Sequence, residues 1–175
     1  PRPDERAISL RTVAHSRELT RPIRLAWIDH PADSADAARL PVLVVHGSPG
    51  DNGEVAELAE RLSARHWTLA PDLPGFGGSS REVPDYSVAA HAGYLLQLLD
   101  SLQIDQVHLV GFSMGGGVVL ELEQLAPARV RSITMLSAIG AQEYELLGDY
   151  HLNHGIHGLQ LAGLWLLREA VPHFG

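Results

Sequence analysis

The sequence predicts an α/β fold in which a mostly parallel, doubly wound β-sheet carries helices on both faces. Two observations lead to this prediction. Short apolar runs rich in β-branched residues alternate with amphipathic helical segments, and turns rich in glycine and proline follow several of these runs. The chain has 175 residues, of which 45% are hydrophobic, so it can bury the core of one globular domain and is neither collagen-like nor disordered.

The first predicted elements are a β-hairpin and one β–α–β unit. Ile8 to Val13 and Ile23 to Ile28 have strand composition and flank a polar stretch, which is typical of a hairpin. Val42 to Val45 is apolar throughout, as expected of a strand buried on both faces of a parallel sheet. Glu54 to Arg65 follows with apolar residues at helical spacing, and Trp67 to Ala70 returns to strand.

Two further helix–strand pairs are predicted before the sequence changes character. Ser87 to Leu102 is a helix with Ser87 as its N-cap, and Val107 to Val110 is the next strand. Val118 to Leu125 forms a helix that ends before a proline, and Ser132 to Leu136 forms a strand. Near Gln142 the strand-like runs give way to helical sequence.

Composition and charge exclude several functions. Thirteen basic residues against 21 acidic ones give a net charge of -8 without a basic stripe, so we expect no nucleic-acid partner. All 13 basic residues are arginine, which excludes Schiff-base chemistry, a covalent pyridoxal phosphate site and a P-loop lysine. The chain has no cysteine, and therefore no thiol nucleophile, disulfide or thiolate metal site. We expect no cofactor and no metal.

A G-x-S-x-G motif carries the strongest chemical signal. It runs from Gly111 to Gly115, between a predicted buried strand and a helix, which is the context that the motif requires. The sharp turn strains the backbone of Ser113, and the flanking glycines leave room for it. The first N–H groups of the helix favour negative charge at this point, so the Met114 N–H is a candidate oxyanion donor.

Two more motifs follow predicted strands. In His46-Gly47-Ser48-Pro49-Gly50, the Ser48 N–H is the second candidate oxyanion donor. His46 is interpreted as a buried histidine that bonds to backbone rather than as the catalytic base, because it precedes the serine. Asp72 begins the turn-rich segment that ends at Ser80, and it is interpreted as an acceptor of local backbone N–H bonds rather than as a catalytic acid.

The motifs HGSPG, DLPGFGGSS and GFSMGGG, in this order and each after a predicted strand, resemble those of the α/β-hydrolase superfamily. The resemblance implies Ser113 as nucleophile, the Met114 and Ser48 N–H groups as oxyanion donors, and residues 72–80 as a loop that shapes the site. It also implies a helical cap after the strand that ends near Ser137. We therefore expect residues 1–140 to form the N-terminal part of the hydrolase core and residues 141–175 to begin the cap.

The chain departs from the family pattern after the predicted cap begins. Complete members of the family have two more strands, followed by the loops that carry the catalytic acid and histidine. We expect these groups to lie beyond Gly175, and the 175-residue segment alone to be inactive. Acidic residues and histidines in the allowed order do occur in the cap region: Glu143, Glu145, Asp149, His151, His154, His157 and His173. An internal triad is disfavoured because these histidines lie on predicted cap helices.

A metal site is also disfavoured for His151, His154 and His157. Three-residue steps turn successive side chains by about 60° around a helix, so the first and third diverge by about 120°. A solvated or cap-packed cluster is the preferred interpretation. The apolar run from Leu159 to Leu167 is too short to span a bilayer, and no signal sequence is recognisable, which favours the cytoplasm.

The resulting hypothesis is a serine hydrolase that acts on a small or medium ester or a related acyl compound through an acyl-enzyme on Ser113. Serine at this turn argues against haloalkane dehalogenase and epoxide hydrolase chemistry, which uses a carboxylate nucleophile there. Aminopeptidase and C–C bond hydrolase activities stay open, since HGSPG is close to the HGGPG form typical of the former. A non-catalytic binding module and an inactive fragment are the alternatives of another class. The sequence leaves the substrate and the oligomeric state open.

Overall fold

The computed structural model describes residues 5–11, 22–32 and 39–138, all of which belong to the first of two units of the chain, Pro1–Ala141. The predicted cap, residues 141–175, lies outside the described residues. The described elements follow in this order: β1 (Glu5–Leu10), β2 (Ile23–His30), β3 (Val42–Val45), α1 (Ala56–Ser63), β4 (Thr68–Pro71), α2 (Val88–Ser101), β5 (Val107–Phe112), α3 (Met114–Leu125) and β6 (Val130–Leu136).

The six strands form one sheet in the order β1-β2-β4-β3-β5-β6. The pairs β4 with β3, β3 with β5 and β5 with β6 are parallel, whereas β2 is antiparallel to both β1 and β4. The predicted mostly parallel sheet and the N-terminal hairpin are therefore confirmed. Within the hairpin, β1 begins at Glu5 rather than at Ile8, and the register runs from Glu5 opposite Ile28 to Leu10 opposite Ile23.

The core lies on both faces of the sheet. Successive residues of β3 point to opposite faces, so Leu43 and Val45 join the larger apolar cluster with α2 and α3. Val42 and Val44 join a smaller cluster with Ala59 of α1 on the other face. All four residues of β3 are buried, as the apolar run predicts. Because both faces are covered by helices, the functional groups can only emerge at the ends of the strands.

The helix boundaries differ from the predicted ones in instructive ways. A 3₁₀ turn, Asn52–Val55, precedes α1, so the regular helix begins two residues later than predicted. The Ser87 side chain accepts a hydrogen bond from the Ala90 N–H and caps α2, as predicted. Helix α3 begins at Met114 and not at Val118, because tertiary packing holds its three consecutive glycines, residues 115–117, in helical conformation despite their low intrinsic propensity.

No helix among residues 5–11, 22–32 and 39–138 is long and apolar enough to cross a bilayer.

Candidate active site

Ser113 lies on the sharp turn that joins β5 to α3. Its φ is 50° and its ψ is -118°, a left-handed conformation that costs a residue with a side chain about 1–3 kcal/mol. Its N–H donates to the Leu136 carbonyl at 3.1 Å, and its own carbonyl accepts from the Gly116 N–H at 3.0 Å. The strained backbone predicted for Ser113 is therefore observed, and it is held by one bond on the strand side and one on the helix side.

Glycines on both sides of Ser113 permit this turn. A Cβ added at Gly111 would lie 2.7 Å from the Gly115 carbonyl oxygen and 2.7 Å from the Gly116 Cα. A Cβ added at Gly115 would lie 2.3 Å from the Val45 carbonyl oxygen and 2.6 Å from that of His46. The first turn of α3 therefore packs directly on the backbone at the end of β3, which brings the G-x-S-x-G and HGSPG motifs together.

The loop that follows β3 contacts the serine through Gly47. A Cβ added at Gly47 would lie 2.9 Å from the Ser113 Cβ, so only glycine allows the two backbones to approach this closely. The Gly47 N–H donates to Glu54 Oε2 at 3.3 Å. Within the described residues, the N–H groups of Ser48 and Met114, the two predicted oxyanion donors, donate no hydrogen bond.

His46 is fully buried, and both of its ring nitrogens bond to backbone groups. Nδ1 lies 2.7 Å from the Gly47 carbonyl oxygen, and Nε2 accepts from the Leu73 N–H at 3.0 Å. Its ring also meets Phe76 edge to face, with centroids 5.4 Å apart. These contacts are the ones expected of a histidine that fastens the loop after β3 to the loop after β4.

Asp72 is buried, and its carboxylate accepts from two loops. Oδ1 accepts from the Asn52 N–H and Oδ2 from the Gly78 N–H, both at 2.7 Å. The Asp72 carbonyl accepts from the Ser79 hydroxyl at 2.6 Å. The predicted interpretation of Asp72 as an acceptor of backbone N–H groups agrees with these bonds.

Three residues near the site were given no individual role from the sequence. Gly47 touches the serine, and Glu54 bonds to the N–H of that glycine. His91, on α2, is buried with its ring 6.2 Å from that of Phe76, and its Nδ1 has no hydrogen-bond partner among the described residues. Helical spacing could have placed His91 on the buried face, because it precedes the buried Leu95 by one turn. Glu54 offered no comparable signal.

Burial, and after it the neighbouring His46, lower the pKa of the His91 imidazole to about 4, against an opposing effect of Asp85. His91 is therefore uncharged at neutral pH. This is consistent with its burial beside the Phe76 ring, where an imidazolium would be poorly solvated.

Other sequence predictions concern residues outside the described ranges. They are the candidate acids and histidines of the predicted cap: Glu143, Glu145, Asp149, His151, His154, His157 and His173. In the part of the chain that the structure does describe, no group of three or more histidine, aspartate or glutamate side chains could hold a metal ion.

A serine on a strained strand-to-helix turn, above a mostly parallel sheet with helices on both faces, is the arrangement that the three sequence motifs implied. A family model described as alpha/beta hydrolase fold matches residues 41–155 of the chain. The chain belongs to the α/β-hydrolase fold family.

Several similar proteins are named as hydrolases or esterases. The chain is 36% identical over 137 residues to the 2-hydroxy-6-oxo-2,4-heptadienoate hydrolase of Pseudomonas putida, a match that covers 76% of this chain and 45% of that protein. A thermophilic esterase from Thermogutta terrifontis has a similar structure, with a TM-score of 0.66 and 28% identity over 76% of this chain and 46% of that one.

Another relative carries a different kind of name. The chain is 37% identical over 99 residues to the dihydrolipoyllysine-residue acetyltransferase component of the acetoin cleaving system of Cupriavidus necator. This match covers 57% of the chain and 26% of that protein. The chain thus spans less than half of the length of each of these three similar proteins.

Proposed function

We propose that the protein is a serine hydrolase that cleaves an ester or a related acyl compound through an acyl-enzyme on Ser113. The observation that carries this proposal is the conformation of Ser113, with φ 50° and ψ -118° on the turn between β5 and α3. Strain of this kind is retained where the surrounding structure enforces it, and here two glycines and the Gly47 contact do so.

The N–H groups of Ser48 and Met114 would act in the first half of the reaction, the formation of the acyl-enzyme. As Ser113 Oγ attacks the acyl carbonyl carbon, a base takes the hydroxyl proton and the carbonyl oxygen becomes negatively charged. We assign the Ser48 and Met114 N–H groups to this oxyanion, because neither has another partner among the described residues. Met114 follows Ser113 directly in the chain, and Ser48 follows Gly47, whose backbone approaches the Ser113 Cβ. The alcohol leaves with the proton, and water then attacks the acyl-enzyme to release the acid.

We place the general base outside the described residues. Both ring nitrogens of His46 are engaged by backbone groups, and His91 is buried beside Phe76. His30, His66 and His108 lie at the opposite ends of the parallel strands. His30 pairs with Thr68 at the start of β4, and His66 and His108 lie near the starts of β4 and β5. The expected position of the base in the family, after the cap, agrees with this exclusion.

An ester is the preferred substrate class because a similar structure, at 28% identity, is that of an esterase. Hydrolysis of a carbon–carbon bond is the second candidate. It is favoured by the 36% identity, over 76% of the chain, to a protein named 2-hydroxy-6-oxo-2,4-heptadienoate hydrolase. Both candidates use the same serine turn and differ in the leaving group. Ester cleavage releases an alkoxide, whereas cleavage of a carbon–carbon bond releases a carbanion equivalent.

The proposal is tested by labelling the chain with a fluorophosphonate probe and reading the intact mass, with and without added imidazole as a replacement base. The samples are the wild type, Ser113→Ala and the matched control Ser101→Ala, which removes an exposed serine on α2. We expect labelling that requires imidazole, disappears in Ser113→Ala and is unchanged in Ser101→Ala.

The other outcomes are equally informative. Rapid labelling without imidazole would support the hydrolase proposal, overturn the expected inactivity of the segment and direct attention to His151, His154, His157 and His173. No labelling under either condition, in a sample with a cooperative unfolding transition, would contradict the proposal and favour a binding module. Among active samples, turnover of p-nitrophenyl esters against a vinylogous diketone separates the ester from the C–C candidate.

A further inference from the structure

The hydrogen bonds of His46 fix which of its ring nitrogens carries the proton. The Leu73 N–H can only donate, so Nε2, 3.0 Å away, must be the unprotonated acceptor. The Gly47 carbonyl can only accept, so Nδ1, 2.7 Å away, must carry the hydrogen. Because the ring is fully buried, water cannot replace either partner. His46 is therefore held as the neutral Nδ1–H tautomer.

The carbonyl that accepts this bond belongs to the peptide unit whose N–H is that of Ser48. The Gly47–Ser48 bond is trans, and in a trans peptide the C=O and N–H vectors lie in one plane and point in opposite directions. A hydrogen bond that fixes the direction of the Gly47 C=O therefore fixes the direction of the Ser48 N–H as well. Glycine would otherwise allow this plane to rotate easily.

The preceding peptide plane is also held. The Gly47 N–H donates to Glu54 Oε2 at 3.3 Å, and the Gly47 backbone packs on the Ser113 Cβ. Gly47 is thus constrained at its N–H by a carboxylate and at its C=O by an imidazole. In this loop, the Gly47 N–H is bonded to Glu54, whereas the Ser48 N–H has no partner among the described residues.

We propose that His46 is a positioning residue of the oxyanion hole, which orients the Ser48 N–H by holding the Gly47 carbonyl in its Nδ1–H hydrogen bond. Donation to the carbonyl also polarises the peptide unit, so the Ser48 N–H becomes a stronger donor. The catalytic consequence rests on the proposed serine hydrolase function, whereas the orientation of the peptide plane does not.

Two variants separate the two bonds of the ring. An asparagine side chain places its amide nitrogen near the position of Nδ1, so His46→Asn keeps a donor to the Gly47 carbonyl and loses the acceptor for the Leu73 N–H. A glutamine side chain reaches the position of Nε2, so His46→Gln keeps that acceptor and loses the donor to Gly47. Both variants remove the buried ring, so a general loss of packing affects them alike.

The first measurement is the residual dipolar coupling of the Ser48 N–H in the full 175-residue chain, with the ¹⁵N spectrum of His46 to report its tautomer. We expect the coupling in His46→Asn to match the wild type and that in His46→Gln to differ, while the couplings of α2 stay the same in all three. A proton on Nε2 in the wild type, or couplings that are equal in both variants, would overturn the proposal. This readout needs no catalytic activity.

The second measurement is the fluorophosphonate labelling rate of Ser113 as a function of probe concentration, with imidazole present. We expect His46→Gln to lower the maximal rate by about tenfold or more, with the half-saturating concentration changed by less than about threefold, and His46→Asn to restore most of the rate. Equal maximal rates in wild type and His46→Gln would overturn the positioning role while leaving the hydrolase proposal intact. Absence of labelling in the wild type would contradict the hydrolase proposal, and the dipolar couplings would still decide the orientation of the peptide plane.

Discussion

The two ends of the parallel strands are built differently. At the carboxyl end of the sheet, the buried polar side chains bond to the backbone of two loops, the one after β3 and the one after β4. Asp72 accepts one N–H bond from each loop, and the His46 ring bonds to one backbone group of each. At the amino end, His66 and His108 meet edge to face with their centroids 5.7 Å apart. The Nδ1 of His66 lies 2.9 Å from the Leu40 carbonyl oxygen, and the Nδ1 of His108 lies 2.7 Å from the Ser132 hydroxyl.

The difference shows what each end has to do. Bonds from a buried side chain to two backbone groups fix the conformation of a loop, because neither partner can turn to water without leaving a buried polar group unpaired. The half-buried histidines at the amino end can exchange their single partners for solvent at little cost. The loops at the carboxyl end are therefore held more firmly than those at the amino end. An oxyanion site requires this, because its N–H groups must point in fixed directions. The following variants test this contrast, from the largest expected effect to the smallest.

Gly115→Ala should have the largest effect. The new Cβ would lie 2.3 Å from the Val45 carbonyl oxygen, a backbone atom that cannot move aside, so we expect the free energy of unfolding to fall by about 3 kcal/mol. Urea denaturation followed by circular dichroism measures it. The control is Gly117→Ala in the same helix, which should gain up to about 1 kcal/mol from helix propensity. Equal stabilities of the two variants would show that the contact of α3 with the end of β3 is not tight.

His91 should make stability depend on pH. Its folded pKa of about 4 lies below the ordinary value of 6.5, so the unfolded chain binds the proton more readily. The stabilising effect is complete above about pH 6.5 and is lost progressively as the pH falls towards 4, by about 3 kcal/mol in total. Urea denaturation of the wild type and of His91→Leu across this range measures the difference.

The control for the pH experiment lies at the other end of the sheet. Burial, then His66 and Arg131, lower the pKa of His108, and its ring is only half-buried. His108→Leu should therefore change the pH dependence in the same direction as His91→Leu, but by less. Parallel stability curves for the wild type and His91→Leu would refute the assignment of a strongly lowered pKa to this buried histidine.

Asp72→Asn should cost about 2 kcal/mol of unfolding free energy, because one amide oxygen replaces two carboxylate oxygens and the amide nitrogen then faces a backbone N–H. Thermal and urea unfolding measure the loss. The matched control is Asp51→Asn, which changes an exposed carboxylate that accepts from the Gly53 N–H in its own turn and that asparagine can replace as a cap. If Asp51→Asn were as destabilising as Asp72→Asn, the paired bonding of Asp72 would not be what holds its loops.

Ser87→Ala should have the smallest effect, about 1 kcal/mol, since it removes one N-terminal cap from α2 and no contact between loops. Its control is Ser101→Ala at the exposed end of the same helix, where the hydroxyl bonds to the Gln97 carbonyl and its loss should not lower stability. A loss for Ser87→Ala as large as that for Asp72→Asn would mean that local capping stabilises the carboxyl end as much as its tertiary bonds do.

Local patterns predicted much of this arrangement. The apolar β-branched run at Val42–Val45 identified a strand buried on both faces, and Ser87 identified the start of α2. The glycines of the G-x-S-x-G motif identified the turn at Ser113. In each case the signal lies within a few residues, because backbone sterics, capping and strand burial act over that distance.

Where the prediction was wrong, a distant contact was responsible. The start of α3 was placed four residues too late, because the glycines at 115–117 disfavour a helix locally, whereas in the fold Gly115 packs on the end of β3 and the helix begins at Met114. The β1 strand was placed three residues late, since its register is set by pairing with β2.

By itself, the sequence determined the fold class, the serine at the turn between β5 and α3, and the two loops that flank it, because each depends on residue types at short spacing. Only the tertiary structure decided that Gly47 touches Ser113, that Glu54 takes the Gly47 N–H, and that the His46 ring joins Gly47 to Leu73. These contacts join residues whose approach is set by the order of the strands in the sheet. Strand order follows from pairing and packing over the whole domain, so no short segment of the sequence encodes it.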